Sequence, residues 1–222
     1  MPFSLTFDDG GESFYSQVAD RLEQRRWRAH CFVPTDFIDR PGFLTRRHIR
    51  ELDARGHQIG AHSASHPARI SACSSPVLHA EWRESVAVLE DLLGHAVTMA
   101  SVPGGYYSPA VAAAAAAAGI RLLFTSEPVT RMHEAAGCAI AGRFAIRQRD
   151  ADTLSARLVT TAPWARMAIW ADWNVKAICK PILGPAYARA ADWLMALRNG
   201  PDQPITTPRH PHHAITNLEE QP

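Results

Sequence analysis

Apolar residues return along this chain at two spacings. They alternate in short runs and recur every three or four residues in longer ones, and the two arrangements take turns as far as residue 146. A strand at 5–7 is followed by 12–27, where Phe14, Val18 and Leu22 fall on one side with charges between them, as in an amphipathic helix. Residues 29–33 form a second strand. Helix 45–55 has Ile49 and Leu52 facing inward and Gly56 as its stop, and 57–61 make a third strand. The spacing in 76–93 predicts a long helix that turns Trp82, Val86, Leu89 and Leu93 to the core and Glu81, Glu84 and Asp91 to water. A fourth strand at 97–102, an alanine-rich helix at 112–118 capped by Ser108 and stopped by Gly119, a fifth strand at 120–125 and a sixth at 139–146 complete the series. Strands that alternate with helices imply a mostly parallel sheet.

Beyond this alternation the chain changes character. Residues 151–198 read as a helical extension, broken at Pro163 and around 181–185, with Asp172, Lys176 and Lys180 in a charged stripe. Trp164, Trp170, Trp173 and Trp193 are expected to pack inside, the alternative being a face for a partner or a membrane. Residues 199–222 are polar and proline-rich, as in a disordered tail, and its His210, His212 and His213 offer at most weak metal affinity. This divides the chain into an α/β domain at 1–150, the extension and the tail.

Composition mainly removes alternatives. The 222 residues carry 23 basic and 22 acidic side chains, a net charge of +1, so nothing favours a nucleic-acid partner. The four cysteines, Cys31, Cys73, Cys138 and Cys179, form no Cys-x-x-Cys pair and read as free thiols. No charged segment followed by an apolar one opens the sequence, so a cytoplasmic protein is expected. The stretch 92–120 has no formal charge, but Pro103-Gly104-Gly105 and Pro109 interrupt it, which makes it strand, turn and helix rather than a membrane span. Oligomeric state is open.

Chemistry concentrates after the strands. Asp8-Asp9-Gly10 ends the first, His62-Ser63-Ala64-Ser65-His66-Pro67 the third, and Pro103-Gly104-Gly105-Tyr106-Tyr107-Ser108 the fourth. Each has an ordinary reading when alone: a solvated turn, two unrelated histidines, a strand-to-helix turn. Together, at the carboxyl ends of parallel strands, one carboxylate and two imidazoles make a three-ligand set with an open position, of the kind a hydrolytic zinc site uses. The second carboxylate is left to handle protons. The glycines let backbone N–H groups approach a ligand, and Tyr106 and Tyr107 can wall a sugar ring.

In order and spacing these three motifs, from about Phe3 to Ile146, resemble those of the polysaccharide deacetylase family, the NodB-like carbohydrate esterases of family four. The resemblance implies a distorted (β/α) barrel with fewer than eight strands. It implies Asp9, His62 and His66 as ligands of one divalent metal, zinc first and cobalt or nickel next, and Asp8 as general base. It implies a backbone N–H near Gly104 or Gly105 for the oxyanion, and hydrolytic removal of acetyl groups from an N-acetylated saccharide in exopolysaccharide or envelope-glycan metabolism. The same site on a cyclic ureide or another non-sugar amide, or a glycan-binding relative without catalysis, are the alternatives. The chain also departs from the family. Ser101 stands where an arginine usually orients the base, Gly104 stands where an aromatic is common, and the late Leu-x-His motif that supplies the acid has no counterpart. His133 is a candidate for that acid and Arg143 for the displaced arginine.

Overall fold

The structure, a computed structural model, describes residues 3–146, 153–160 and 163–175. Described residues up to 174 belong to one compact unit, and Val175 is the one described residue of a second, 175–222. Lys176, Cys179, Lys180, Trp193 and the tail histidines lie outside the described residues.

Seven strands form one sheet: β1 (Thr6–Phe7), β2 (His30–Val33), β3 (Gln58–Ala61), β4 (Met99–Ser101), β5 (Leu122–Phe124), β6 (His133–Ala135) and β7 (Cys138–Ala141). The order is β1-β2-β3-β4-β5-β7-β6, parallel throughout except for the β6–β7 pair. Helices α1 (Ala19–Glu23), α2 (Arg46–Ala54), α3 (Ser75–Leu93) and α4 (Pro109–Ala117) make the crossovers, and α5 (Thr153–Val159) follows the sheet. The sheet curls into a half-barrel, so the ends of β1 and β7 approach each other although no strand pairing joins them.

Both faces of such a sheet are covered, and the strands are accordingly apolar on both. Cys31 and Val33 of β2 join the main core with Trp82 and Leu89 of α3 and Ile49 and Leu52 of α2. On the concave face Phe32, Phe124 and Ala141 form a smaller cluster. Phe32 is in register with Gly60, where a Cβ would meet its ring at 2.6 Å, so the ring fills the space that residue leaves. The alanines of α4 let it lie close against the layer beneath: Ala112 and Ala115 are fully buried.

Four expectations change. The single sixth strand at 139–146 is instead a hairpin, with β6 and β7 joined by Ala136-Gly137, both at positive φ (52° and 86°), the backbone of a two-residue β-turn. The first helix is shorter than 12–27, opening as a wide turn over Phe14–Val18 before α1 and ending by Glu23. Glu81 does not face water but is 9% exposed. Trp164 and Trp170, expected inside, are 75% and 50% exposed on the helix at 163–175, whose face turns them away from the core. Cys31, Cys73 and Cys138 are free, as expected. Among the described residues no helix is long and apolar enough to cross a membrane.

Candidate metal and catalytic site

Asp8 and Asp9 leave the end of β1 in different directions because the backbone turns at Asp9, which has φ +70°. Few residues other than glycine hold this conformation cheaply, although aspartate is among the more tolerant. Asp9 therefore points into the mouth of the sheet, where β3 ends in His62 and the turn that carries His66.

Asp9 Oδ1 lies 3.4 Å from His62 Nε2 and 3.3 Å from His66 Nε2, and one ligand atom from each residue lies within 4.8 Å of the others. These separations exceed a charge-assisted hydrogen bond, about 2.7–2.9 Å. They match the edge of a tetrahedron of ligands about 2.0–2.1 Å from a zinc ion, roughly 3.3 Å. The imidazoles are also presented the right way round. His62 Nδ1 sits 2.8 Å from the Ser101 carbonyl oxygen, to which it donates, leaving Nε2 as the lone-pair atom facing Asp9. When a proton rather than an ion sits between these groups, the His62 and His66 rings hold the Asp9 carboxyl well below the usual carboxylate range, and Asp9 in turn raises His66. His62 is buried at 1% exposure while the Asp9 side chain is 66% exposed, so the set opens to solvent on one side. The residues fit a divalent ion.

Asp8 is clamped from the far end of the sheet. Arg143, just past β7, donates from Nη1 to Asp8 Oδ1 at 2.7 Å and from Nη2 to Asp8 Oδ2 at 2.8 Å. Its remaining N–H groups are also used: Nε to the Thr125 carbonyl at 3.0 Å, Nη1 to Thr6 Oγ1 at 3.2 Å and Nη2 to Ser101 Oγ at 2.8 Å. All five donors of the guanidinium thus have acceptors. Ser101 Oγ in turn donates to Asp8 Oδ2 at 3.1 Å. The guanidinium lies 5.9 Å from the ring centres of both Phe32 and Phe124, which floor the site.

The small residue at 101 and the arginine at 143 thus explain each other: a serine there leaves room for the guanidinium and bonds to it. Sequence reasoning named Arg143 but missed Thr6, Ser101 and the Thr125 carbonyl as its partners. The available signal was an arginine two residues beyond the last buried strand, at the same sheet end as the aspartates.

The 103–105 turn follows β4 as expected. The Gly105 N–H donates to the Val102 carbonyl at 3.1 Å, so it is committed within the turn; the Gly104 N–H has no such internal bond among the described residues. Tyr106 is half-buried with the Arg69 guanidinium 5.5 Å from its ring centre, and burial pushes the Tyr107 hydroxyl up. On the other side Phe37, which sequence reasoning did not single out, places its ring 6.1 Å from that of His66. His133 is exposed on the edge strand β6, and among the described residues no hydrogen bond ties it to Asp8 or the ligand set.

Comparison with known proteins places the chain in a family. Over 103 residues the chain is 32% identical to a gellan lyase from Bacillus sp, covering 46% of this chain and 4% of that protein. Over 110 residues it is 30% identical to a chitin deacetylase from Pestalotiopsis sp, covering 48% and 34%. The chain therefore matches only a minor part of the length of these relatives. Among solved structures, IcaB from Ammonifex degensii superposes with a TM-score of 0.58 at 21% identity, over 75% of each chain. The sequence model of the polysaccharide deacetylase family matches residues 2–123, more than half of the chain and both the aspartate and histidine motifs, and the chain belongs to that family.

Proposed function

We propose that this chain is a metal-dependent hydrolase that removes acetyl groups from an N-acetylated saccharide, in exopolysaccharide or envelope-glycan metabolism. The observation that carries the reading is the convergence of Asp9, His62 and His66 at tetrahedral-edge distances beside a second, clamped carboxylate. The likeness to a chitin deacetylase supports an N-acetylated glycan as substrate.

One carboxylate and two imidazoles suit zinc, which when bound would lend Lewis acidity to the acetyl carbonyl and to the attacking water. The rest falls to the chain. Asp8 Oδ2 already accepts two hydrogen bonds, from Arg143 and Ser101, and so has no lone pair to spare. Oδ1 accepts only one, from Arg143, and is the atom that takes the proton of the water. The Gly104 N–H is the free backbone donor of the turn for the acetyl oxygen as it gains charge. With His133 on the edge strand, Asp8 is also the group placed to return the proton to the departing amine. Tyr106 and Phe37 flank the site as walls for the sugar.

The test is acetate release from an N-acetylglucosamine oligomer by zinc-loaded protein, before and after chelation. Chelation should abolish it, and Asp8→Asn should keep zinc but lose about 10²–10⁴ in turnover. Asp9→Ala should lose the zinc. Undiminished release by Asp8→Asn or by stripped protein would sink the assignment.

A further inference from the structure

Glu81 sits within α3 and is 9% exposed. A carboxylate this buried needs partners, and no cation pairs with it among the described residues. Its partners are instead three donors of the turn that carries the histidines. Oε2 accepts from the Ala64 and Ser65 N–H groups, both at 2.9 Å, and Oε1 accepts from Ser65 Oγ at 2.5 Å. That turn needs holding. Ser63 and His66 both have positive φ, 60° and 54°, without being glycine, and two consecutive N–H groups converge on one point as in an anion-binding nest. Among the described residues the opposite side is tied by neutral bonds, from Thr35 N to the Ser63 carbonyl at 3.3 Å and from Asp36 N to the Ala64 carbonyl at 3.0 Å, and within the turn the His66 N–H donates to Ser63 Oγ at 3.1 Å.

We infer that Glu81 is a positioning residue for the metal ligands, its buried side chain acting as an internal hydrogen-bond acceptor that fixes the 62–66 turn so that His66 meets Asp9 and His62. The inference rests on the metal-site reading above. It also locates the constraint: His62, held at the end of β3 and by the Ser101 carbonyl, depends on Glu81 less than His66 does. An amide at this position can still accept both N–H bonds through its oxygen while the Ser65 hydroxyl turns to accept from its NH₂, so glutamine should substitute.

The experiment compares Glu81→Ala, Glu81→Asp and Glu81→Gln with the native chain. Zinc affinity is measured by chelator competition, and amide hydrogen exchange at Ala64 and Ser65 is followed in metal-free protein. Leu89→Ala, a buried substitution on the same helix, controls for loss of stability alone. Glu81→Ala should bind zinc about 10–100-fold more weakly and expose both amides to exchange. Glu81→Asp, too short to reach the turn, should follow it if the alanine variant does not fold, and Glu81→Gln should stay near native. Native zinc affinity in both Glu81→Ala and Glu81→Asp overturns the inference. If the native chain itself binds no zinc, the metal-site reading fails instead, and unchanged exchange at Ala64 and Ser65 in Glu81→Ala then overturns the role of Glu81 separately.

Discussion

Asp8 and Arg143 show how a clamped carboxylate can be assembled from side chains far apart in the chain. Where the family resemblance leads one to expect an arginine at 101, the guanidinium arrives from 135 residues along the chain and uses all its donors around Asp8. Such a planar, five-donor fit is not available to an ammonium group. Arg143→Lys should therefore keep the charge and lose the orientation, lowering kcat by about 10²-fold with zinc stoichiometry unchanged, as steady-state kinetics and elemental analysis would read. Returning the arginine to position 101 in an Arg143→Ala background should recover part of the loss. An Arg143→Ala variant with native kcat would remove Arg143 from the catalytic machinery. The meeting of Asp9, His62 and His66 beside Asp8 was legible in the sequence because these residues sit in contiguous motifs at strand ends. Arg143 was legible only as a candidate for the displaced arginine, without its partners, because a group supplied across the open side of a sheet leaves no local spacing to find.

The elements divide in the same way. Strands β1 to β5 and helices α2 to α4 announce themselves through periodicity, capping residues and glycine stops, such as Thr45, whose Oγ1 accepts from the His48 N–H at the start of α2. The β6–β7 hairpin was hidden, since Ala136 is not a residue that signals a turn with positive φ and His133-Glu134-Ala135 has no apolar face. Glu81 was hidden for a different reason: helical periodicity assigned it to water by charge, and only the nearby turn with its unpaired donors explains its burial. The exit of β7 makes a prediction at this level. Gly142 lies where a Cβ would press on the Glu127 carbonyl and come within 2.8 Å of the Val129 carbonyl, while the next residue, Arg143, donates its N–H to Glu127 at 2.8 Å. Gly142→Ala should thus push the 127–129 segment off the strand and cost about 1–3 kcal/mol. Because that displacement moves Arg143, kcat should fall by more than a substitution of equal thermal cost elsewhere, such as Ala115→Leu in the buried face of α4. Equal kcat for the two at matched stability would show that the strand exit does not position the arginine.

Curling the sheet puts the carboxyl ends of the six parallel strands around one mouth, and the proposed ligand set spans two of them, with Asp9 after β1 and His62 and His66 after β3. An ion held there ties separate parts of the fold together, so its binding free energy is also folding free energy. At a free zinc concentration one hundred times the dissociation constant the native state gains about 2.7 kcal/mol, which for a chain of this length corresponds to a rise in Tm of about 5–10 °C. Thermal melts with zinc and with chelator should differ by that amount in the native chain and in Asp8→Asn, and should coincide in Asp9→Ala. The control matters because His210, His212 and His213 also offer imidazoles. Imidazoles that take up metal equally in the folded and unfolded chain cannot raise Tm, however many ions elemental analysis counts. A zinc-dependent rise that survives in Asp9→Ala would mean that the stabilising ion binds somewhere other than at Asp9, His62 and His66.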